Sequence, residues 1–190
     1  ISPENNVEQL FEKKRFLLGT DQLGRDIFSR LLLGSRITLS VAFIALLVSL
    51  LIGIILGLLA GYYQGKTDAW VMYLINVTWS IPTLLMVFGL TMVLGKGMMQ
   101  VFVSVGLTMW VPIARVLRNQ VKTISKLDYV AAAKVMGFSD ARIMFRHILP
   151  NCMGAILVVA STNFASAIMI EAGLSFLGLG VQAPQPSWGL

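Results

Sequence analysis

Residues 37–65 read ITLSVAFIALLVSLLIGIILGLLAGYYQG, roughly 29 positions without a charged side chain. A bilayer's hydrocarbon core needs about 20 consecutive apolar residues to be crossed as a helix, so this stretch is predicted to span a membrane. Working outward, uncharged runs recur at 69–95, 97–114 and 147–170. Four spanning helices are expected. The whole chain agrees, with 56% hydrophobic and only 13% charged residues, a balance unsuited to a water-soluble domain. The predicted fold class is all-α, a polytopic helical membrane protein. The run at 97–114 is the shortest, so its helix is expected to borrow Val116 and Leu117 while Arg115 and Arg118 snorkel to the interface.

Charge locates the exposed segments. The net charge is +6. Residues 1–36 hold about one excess positive charge, Lys66 offsets Asp68, and Lys96 offsets Glu171. The remaining excess lies at 115–147, where seven Arg or Lys face Asp128 and Asp140. A basic patch beside membrane spans is explained by the positive-inside rule, and nucleic acid is not an expected partner. With the basic loop cytoplasmic, parity puts residues 1–36, the turn at 95–97 and the C-terminus outside. Residues 22–33 place Leu23, Ile27, Phe28, Leu31 and Leu32 at near-helical spacing, which predicts an amphipathic helix at the interface. Two regions are expected: an extracytoplasmic segment at 1–36 and a membrane domain at 37–190, with a cytoplasmic loop at about 119–150. The first residue is not Met and no signal-peptide core follows it, so a trimmed chain is expected.

Within the loop, residues 128–151 read DYVAAAKVMGFSDARIMFRHILPN. The Ala-rich stretch at 130–136 is predicted to be helical, with Gly137 at the left-handed position that ends a helix and Phe138 as the apolar residue after it. Ser139 is the candidate N-cap of a second short helix over 140–148, with Asp140 in its first turn and Leu149-Pro150 ending it. A rigid helix, Gly turn and helix, with small Ala side chains open to close approach, suits a coupling element for a soluble partner. The same shape also serves as an ordinary ordered connection between spans.

The spacing of Ala131, Ala132 and Ala133 to Gly137 and on to Leu149-Pro150 resembles the EAA loop of ABC importer permeases. Two positions depart from that pattern: the Glu is Ala131 here, with Asp128 the candidate stand-in, and the Ile is His147. Three further motifs narrow the resemblance. LGTDQLGRD at 18–26 followed by Ser29, Arg30 and Leu31, then EAGLSFLGLG at 171–180, then PQPSWG at 184–189, are similar to the second permease of dipeptide, oligopeptide and nickel importers. Such permeases usually carry a span before the first motif and another after the last. The resemblance implies the type I ABC importer permease fold in a bacterial inner membrane. It also implies a second permease subunit, two ATPase subunits carrying ATP and Mg, and an extracytoplasmic solute-binding protein. Coupling to the ATPase would then fall to Asp128, Ala131, Ala132, Ala133, Gly137, Ser139, Leu149 and Pro150. Peptides are the expected solute, with nickel or a metal chelate the alternative.

Candidate pathway residues follow from polarity within the spans. Asn76, Ser80 and Thr83 stand at i, i+4 and i+7 and are expected on one inward helical face, with Pro82 permitting a kink. Relatives often carry an Asp near Asn76, which this chain lacks. Thr162, Asn163 and Ser166, with Ser161, form a second polar patch. Either patch also serves helix packing. Glu171 is the acidic residue nearest membrane depth, expected at the outer end as a gate or docking residue, or paired with Lys96 or an N-terminal arginine. The only histidine is His147 and the only cysteine Cys152, so neither an imidazole metal site nor an internal disulfide is expected. Ten Met residues read as core filler more readily than as a soft-metal path. No GxxxxGK[ST] loop occurs, so no cofactor is expected on this chain and it is not expected to be an enzyme. The competing functions are an ion-driven secondary transporter, which needs intramembrane carboxylates, and a structural protein whose basic loop binds anionic lipid.

Overall fold

The structure is a computed structural model that describes residues 16–21, 23–95, 97–180 and 185–189. Among them every regular element is helical, and the one strand-like pairing is an isolated bridge between Thr20 and Asp26. Three helical stretches are long and apolar enough to cross a membrane, or four if a sharply bent pair counts as one span.

Helix α1, Ile27–Tyr63, runs for 37 residues, roughly 55 Å at 1.5 Å per residue. Asp26 starts it by accepting the backbone N–H of Phe28 at 3.2 Å and of Ser29 at 3.3 Å, which satisfies donors that a first turn otherwise leaves open. The separate amphipathic helix expected at 22–33 is therefore not formed. Its residues from Ile27 onward are the first turns of α1, while 23–26 belong to the preceding turn; Gln22 lies outside the described residues.

The expected span at 69–95 is broken. Helices α2, Gly65–Trp79, and α3, Thr83–Leu94, meet at 88°. Pro82 cannot donate a hydrogen bond to Thr78, and its ring pushes Ile81 away from helical geometry, so the kink expected at Pro82 becomes a full corner. Helices α4, Met98–Thr108, and α5, Trp110–Ile124, form one crossing stretch with a break at Met109, where Pro112 deprives the Thr108 carbonyl of its helical donor. This stretch continues to Ile124, well past Leu117. Arg115 and Arg118 do not snorkel: Arg115 lies on the Trp79 ring at 3.8 Å from its centre, and Arg118 forms a two-pronged ion pair with Asp68.

The chain then forms α6, Asp128–Val135, and α7, Asp140–Arg142, then a wide π-type turn, Ile143–Ile148, and α8, Leu149–Phe176. Residues Asp140–Phe176 are continuous helix. Leu149-Pro150 thus does not end the second loop helix as expected. Pro150 falls in the first turn of α8, and the wide turn ahead of it absorbs the missing N–H and the ring's bulk.

Close packing of α1 on α5 holds the bundle together. A Cβ on Gly57 would lie 2.9 Å from the Ala114 carbonyl oxygen, and one on Gly61 would lie 2.6 Å from the Val121 Cβ. Gly53 repeats the pattern one turn earlier, so three small residues at four-residue spacing let the backbones touch. Helix α4 reaches α1 likewise, with the Ser49 hydroxyl shared between the carbonyls of Ala45 at 2.9 Å and Gly106 at 3.0 Å.

Candidate functional site

The first candidate region is the 128–151 segment. Helix α6 ends as its sequence predicts: Gly137 has φ 78°, the Phe138 N–H bonds the Ala133 carbonyl at 3.2 Å, and the Gly137 N–H bonds that of Lys134 at 3.0 Å. These are the paired closing bonds of a Schellman cap. Asp128 lies in the first turn of α6, where its charge favours the helix dipole. Ala131 and Ala132 face outward and Ala133 inward. Ser139 has the extended backbone of an N-cap, but its side chain makes no capping bond. Its carbonyl receives the Ile143 N–H at 3.0 Å instead.

What packs this segment against the bundle is a set of contacts that reaches well beyond the motif. Val130 and Ala133 of α6, with Ile143, Met144 and Ile148 of the π-type turn, pack in one buried cluster with Leu58 and Tyr62 of α1, Leu117 and Val121 of α5, and Cys152 and Ile156 of α8. Leu149 packs against the same cluster. The Tyr62 hydroxyl donates to Asp140 at 2.7 Å, and the Lys134 ammonium lies over the Tyr62 ring. His147 stacks on Phe138, and its carbonyl receives the Asn151 amide at 2.7 Å. The outer surface is apolar and basic: Val135 is 89% and Met136 64% exposed, beside exposed Lys134, Arg142 and Arg146.

The second candidate region is a cavity of about 320 Å³ at the α2–α3 corner. Thr83, Asn163 and Ser166 line it with Trp79, Thr108, Met109, Pro112 and Ile170. Asn163 donates its amide to the Met109 carbonyl at 2.8 Å, so α8 is latched to the break between α4 and α5. The expected single polar face of α2–α3 does not exist, because the corner separates Asn76 and Ser80 from Thr83. Ser80 bonds back to the Val77 carbonyl at 2.7 Å and Thr162 to that of Val159 at 2.9 Å. Asn76, Ser80, Pro82 and Thr162 are exposed and do not line the cavity.

Glu171 is completely buried. It accepts the hydroxyls of Thr38 at 3.0 Å and Ser175 at 2.7 Å. Thr38 in turn receives the Trp188 backbone N–H at 3.3 Å, and the Trp188 indole N–H reaches the Leu31 carbonyl at 3.3 Å. Glu171 thus joins α8 to α1 at Thr38, the residue that also holds the 185–189 strap. It neither reaches a headgroup layer nor pairs with a described arginine, and Lys96 lies outside the described residues. The nearby 16–26 turn is organised by Asp21, which accepts the N–H groups of Leu23 and Arg25, each at 2.9 Å, and the Arg25 side chain at 2.8 Å. The Arg25 backbone bond is the main cause that holds the Asp21 carboxyl below the usual carboxylate range. Gly24 supplies the left-handed residue, φ 74°, that closes this turn.

The 128–151 segment, the corner cavity and the strap all fall within one stretch of sequence. Residues 53–190 match the family described as binding-protein-dependent transport system inner membrane component. The chain belongs to this family. Among similar proteins, the dipeptide transport system permease DppC of Bacillus subtilis is 45% identical over the full length of this chain and 61% of its own. The oligopeptide transport system permease OppC of the same organism is 43% identical over 90% of this chain and 56% of its own. The glutathione transport system permease GsiD of Pectobacterium atrosepticum is 42% identical over 90% of this chain and 57% of its own. The chain therefore spans somewhat over half the length of these relatives. The inner-membrane family accounts for the apolar helices, and its match runs through the 128–151 segment.

Of the residues the sequence singled out, Gly137 ends α6 and Thr83, Asn163 and Ser166 line the cavity. Tyr62, Trp79 and Thr38 carried no role in the sequence reading, Arg115 entered only as a snorkelling residue, and Trp188 only within the 184–189 motif. Arg115 carried a usable signal: a cation directly after the uncharged run at 97–114 and within helical reach of Pro112.

Proposed function

We propose that this chain is a permease subunit of a bacterial ATP-binding cassette importer that carries peptides across the cytoplasmic membrane. The handle at 128–151 faces the cytoplasm and docks on an ATPase subunit; residues 16–26 and the 185–189 strap face the other side. A second permease completes the pathway, two ATPases hold ATP and Mg, and an extracytoplasmic binding protein delivers the solute. ATP favours the closed ATPase dimer, and that differential affinity drives the helices between inward-facing and outward-facing states. One observation carries the reading: the handle is not a loop hung from the bundle but shares a buried core with α1, α5 and α8, so a push on its exposed apolar surface moves three long helices. The peptide cargo is supported by the names of the oligopeptide, dipeptide and glutathione relatives.

The test is reconstitution of the complete transporter with its binding protein. Gly137→Leu forces a side chain into a left-handed backbone, φ 78°, at roughly 1–2 kcal/mol. It is expected to abolish stimulation of ATP hydrolysis by peptide-loaded binding protein while membrane insertion persists. Undiminished stimulation would remove the handle from the mechanism.

A further inference from the structure

Two arginines stand one turn apart on α5, and only one has its counter-ion. Arg118 is engaged by both oxygens of Asp68. The Arg115 Nε is buried without a hydrogen-bond partner, and among the described residues its guanidinium forms no ion pair. Its close electrostatic contact is the Trp79 ring, 3.8 Å from centre to guanidinium carbon. A cation held inside a membrane span without a carboxylate is costly and marks a solute path more often than a packing solution. An indole face compensates only part of that cost.

The position supplies the ligand class. Trp79 lines the corner cavity, as does Pro112, which stands three residues before Arg115 on the same face of α5. The guanidinium therefore lies against one lining residue and one turn from another, beside a cavity whose own lining offers neutral polar groups: Thr83, Asn163 and Ser166. Trp79 is the last residue of α2, directly before the Ser80-Ile81-Pro82 corner. Rotation at that corner would carry the ring off the guanidinium and open Arg115 to the cavity. We propose that Arg115 is the anion contact of the translocation pathway, receiving a carboxylate of the passing solute, and that Trp79 occupies the guanidinium when no solute is present. A planar guanidinium suits this role because it can bind a carboxylate through two parallel bonds and stack on an aromatic face in turn.

This inference rests on the peptide-importer reading, and the experiment separates the two. In proteoliposomes of the complete transporter, uptake of a peptide with a free C-terminal carboxylate is compared with that of its C-terminal amide. Each is supplied at a concentration shown by titration to saturate the isolated binding protein. Wild type is expected to carry the free acid about tenfold faster, the scale of one charge-assisted bond. R115Q should bring the free acid down to the amide's rate and leave the amide unchanged, while R115K keeps most of the preference. Equal loss for both peptides would make Arg115 a packing residue and overturn the proposal, as would unchanged discrimination. An R115Q effect that disappears in purely phosphatidylcholine vesicles would assign the guanidinium to anionic headgroups and overturn it as well. Absence of wild-type uptake of either peptide would sink the importer reading together with this one.

Discussion

At the scale of single residues, two carboxylates do opposite work in different surroundings. Asp21 lies in an exposed turn and collects donors from Leu23 and Arg25. Its folded pKa is lowered from the ordinary carboxylate value, so its stabilising contribution is full above the unfolded pKa and is lost as pH falls through the lower folded value. Hydrogen exchange of the amides at 19–25 is expected to accelerate as pH drops through that window, after correction for intrinsic rates. In Asp21→Asn the same amides should exchange fast at neutral pH and show no such transition. Glu171 is instead sealed between α1 and α8. Glu171→Ala leaves the Thr38 hydroxyl without its acceptor and opens a void, a cost of about 2–3 kcal/mol. Thermal unfolding in detergent should register that loss, with faster exchange at 187–189, whereas Glu171→Gln keeps an acceptor and should stay close to wild type. Glu171 could be picked from the sequence as unusual. Its partner could not, because Thr38 is 133 positions away and no local pattern joins them.

At the scale of elements, local chemistry was legible and long-range packing was not. The end of α6 could be written down in advance because Ala133, Lys134, Gly137 and Phe138 make its closing bonds among themselves. Pro150 misled for the same local reason. A proline signals a stop, yet the wide turn ahead of Pro150 takes up its missing N–H and its ring, so the helix runs through it. Pro82 was legible as a kink, but its right angle depends on what α2 and α3 pack against. The α1–α5 seam was hidden in a plain apolar run, and its glycines declare themselves only beside Ala114 and Val121. Gly61→Ala is expected to lower the unfolding temperature, because its Cβ meets Val121 at 2.6 Å and overpacking typically costs about 1–3 kcal/mol. Gly89→Ala, on α3 with nothing within 4 Å of the added carbon, should leave that temperature unchanged or raise it, since Ala is the better helix former. Equal destabilisation by both would deny the seam its special closeness.

At the scale of the whole molecule, the proposed function asks how a stroke applied at one end would reach the other. The buried cluster at the handle contains residues from α1, α5, α6, the π-type turn and α8. A second cluster farther along joins Val41 and Ala45 of α1 to Val101 and Val105 of α4 and to Ala167 and Leu174 of α8. Helices α1 and α8 pass through both, so on the proposed function they are the members that would carry displacement from the handle toward the corner cavity and the Glu171 node. Close-packed interiors transmit such displacement because they have little free volume in which to absorb it. Loosening the handle end should therefore separate hydrolysis from transport without dismantling the far end. Ile143 is fully buried in the handle cluster, and Ile143→Ala is expected to cost about 2–5 kcal/mol. On the proposed function, the reconstituted variant should keep basal ATP hydrolysis while peptide uptake per ATP falls severalfold, and amides at 187–189 should exchange at the wild-type rate. Parallel loss of hydrolysis and uptake, with exchange raised at the distant strap, would mean that the two clusters unfold as one unit and that α1 and α8 do not act as independent levers.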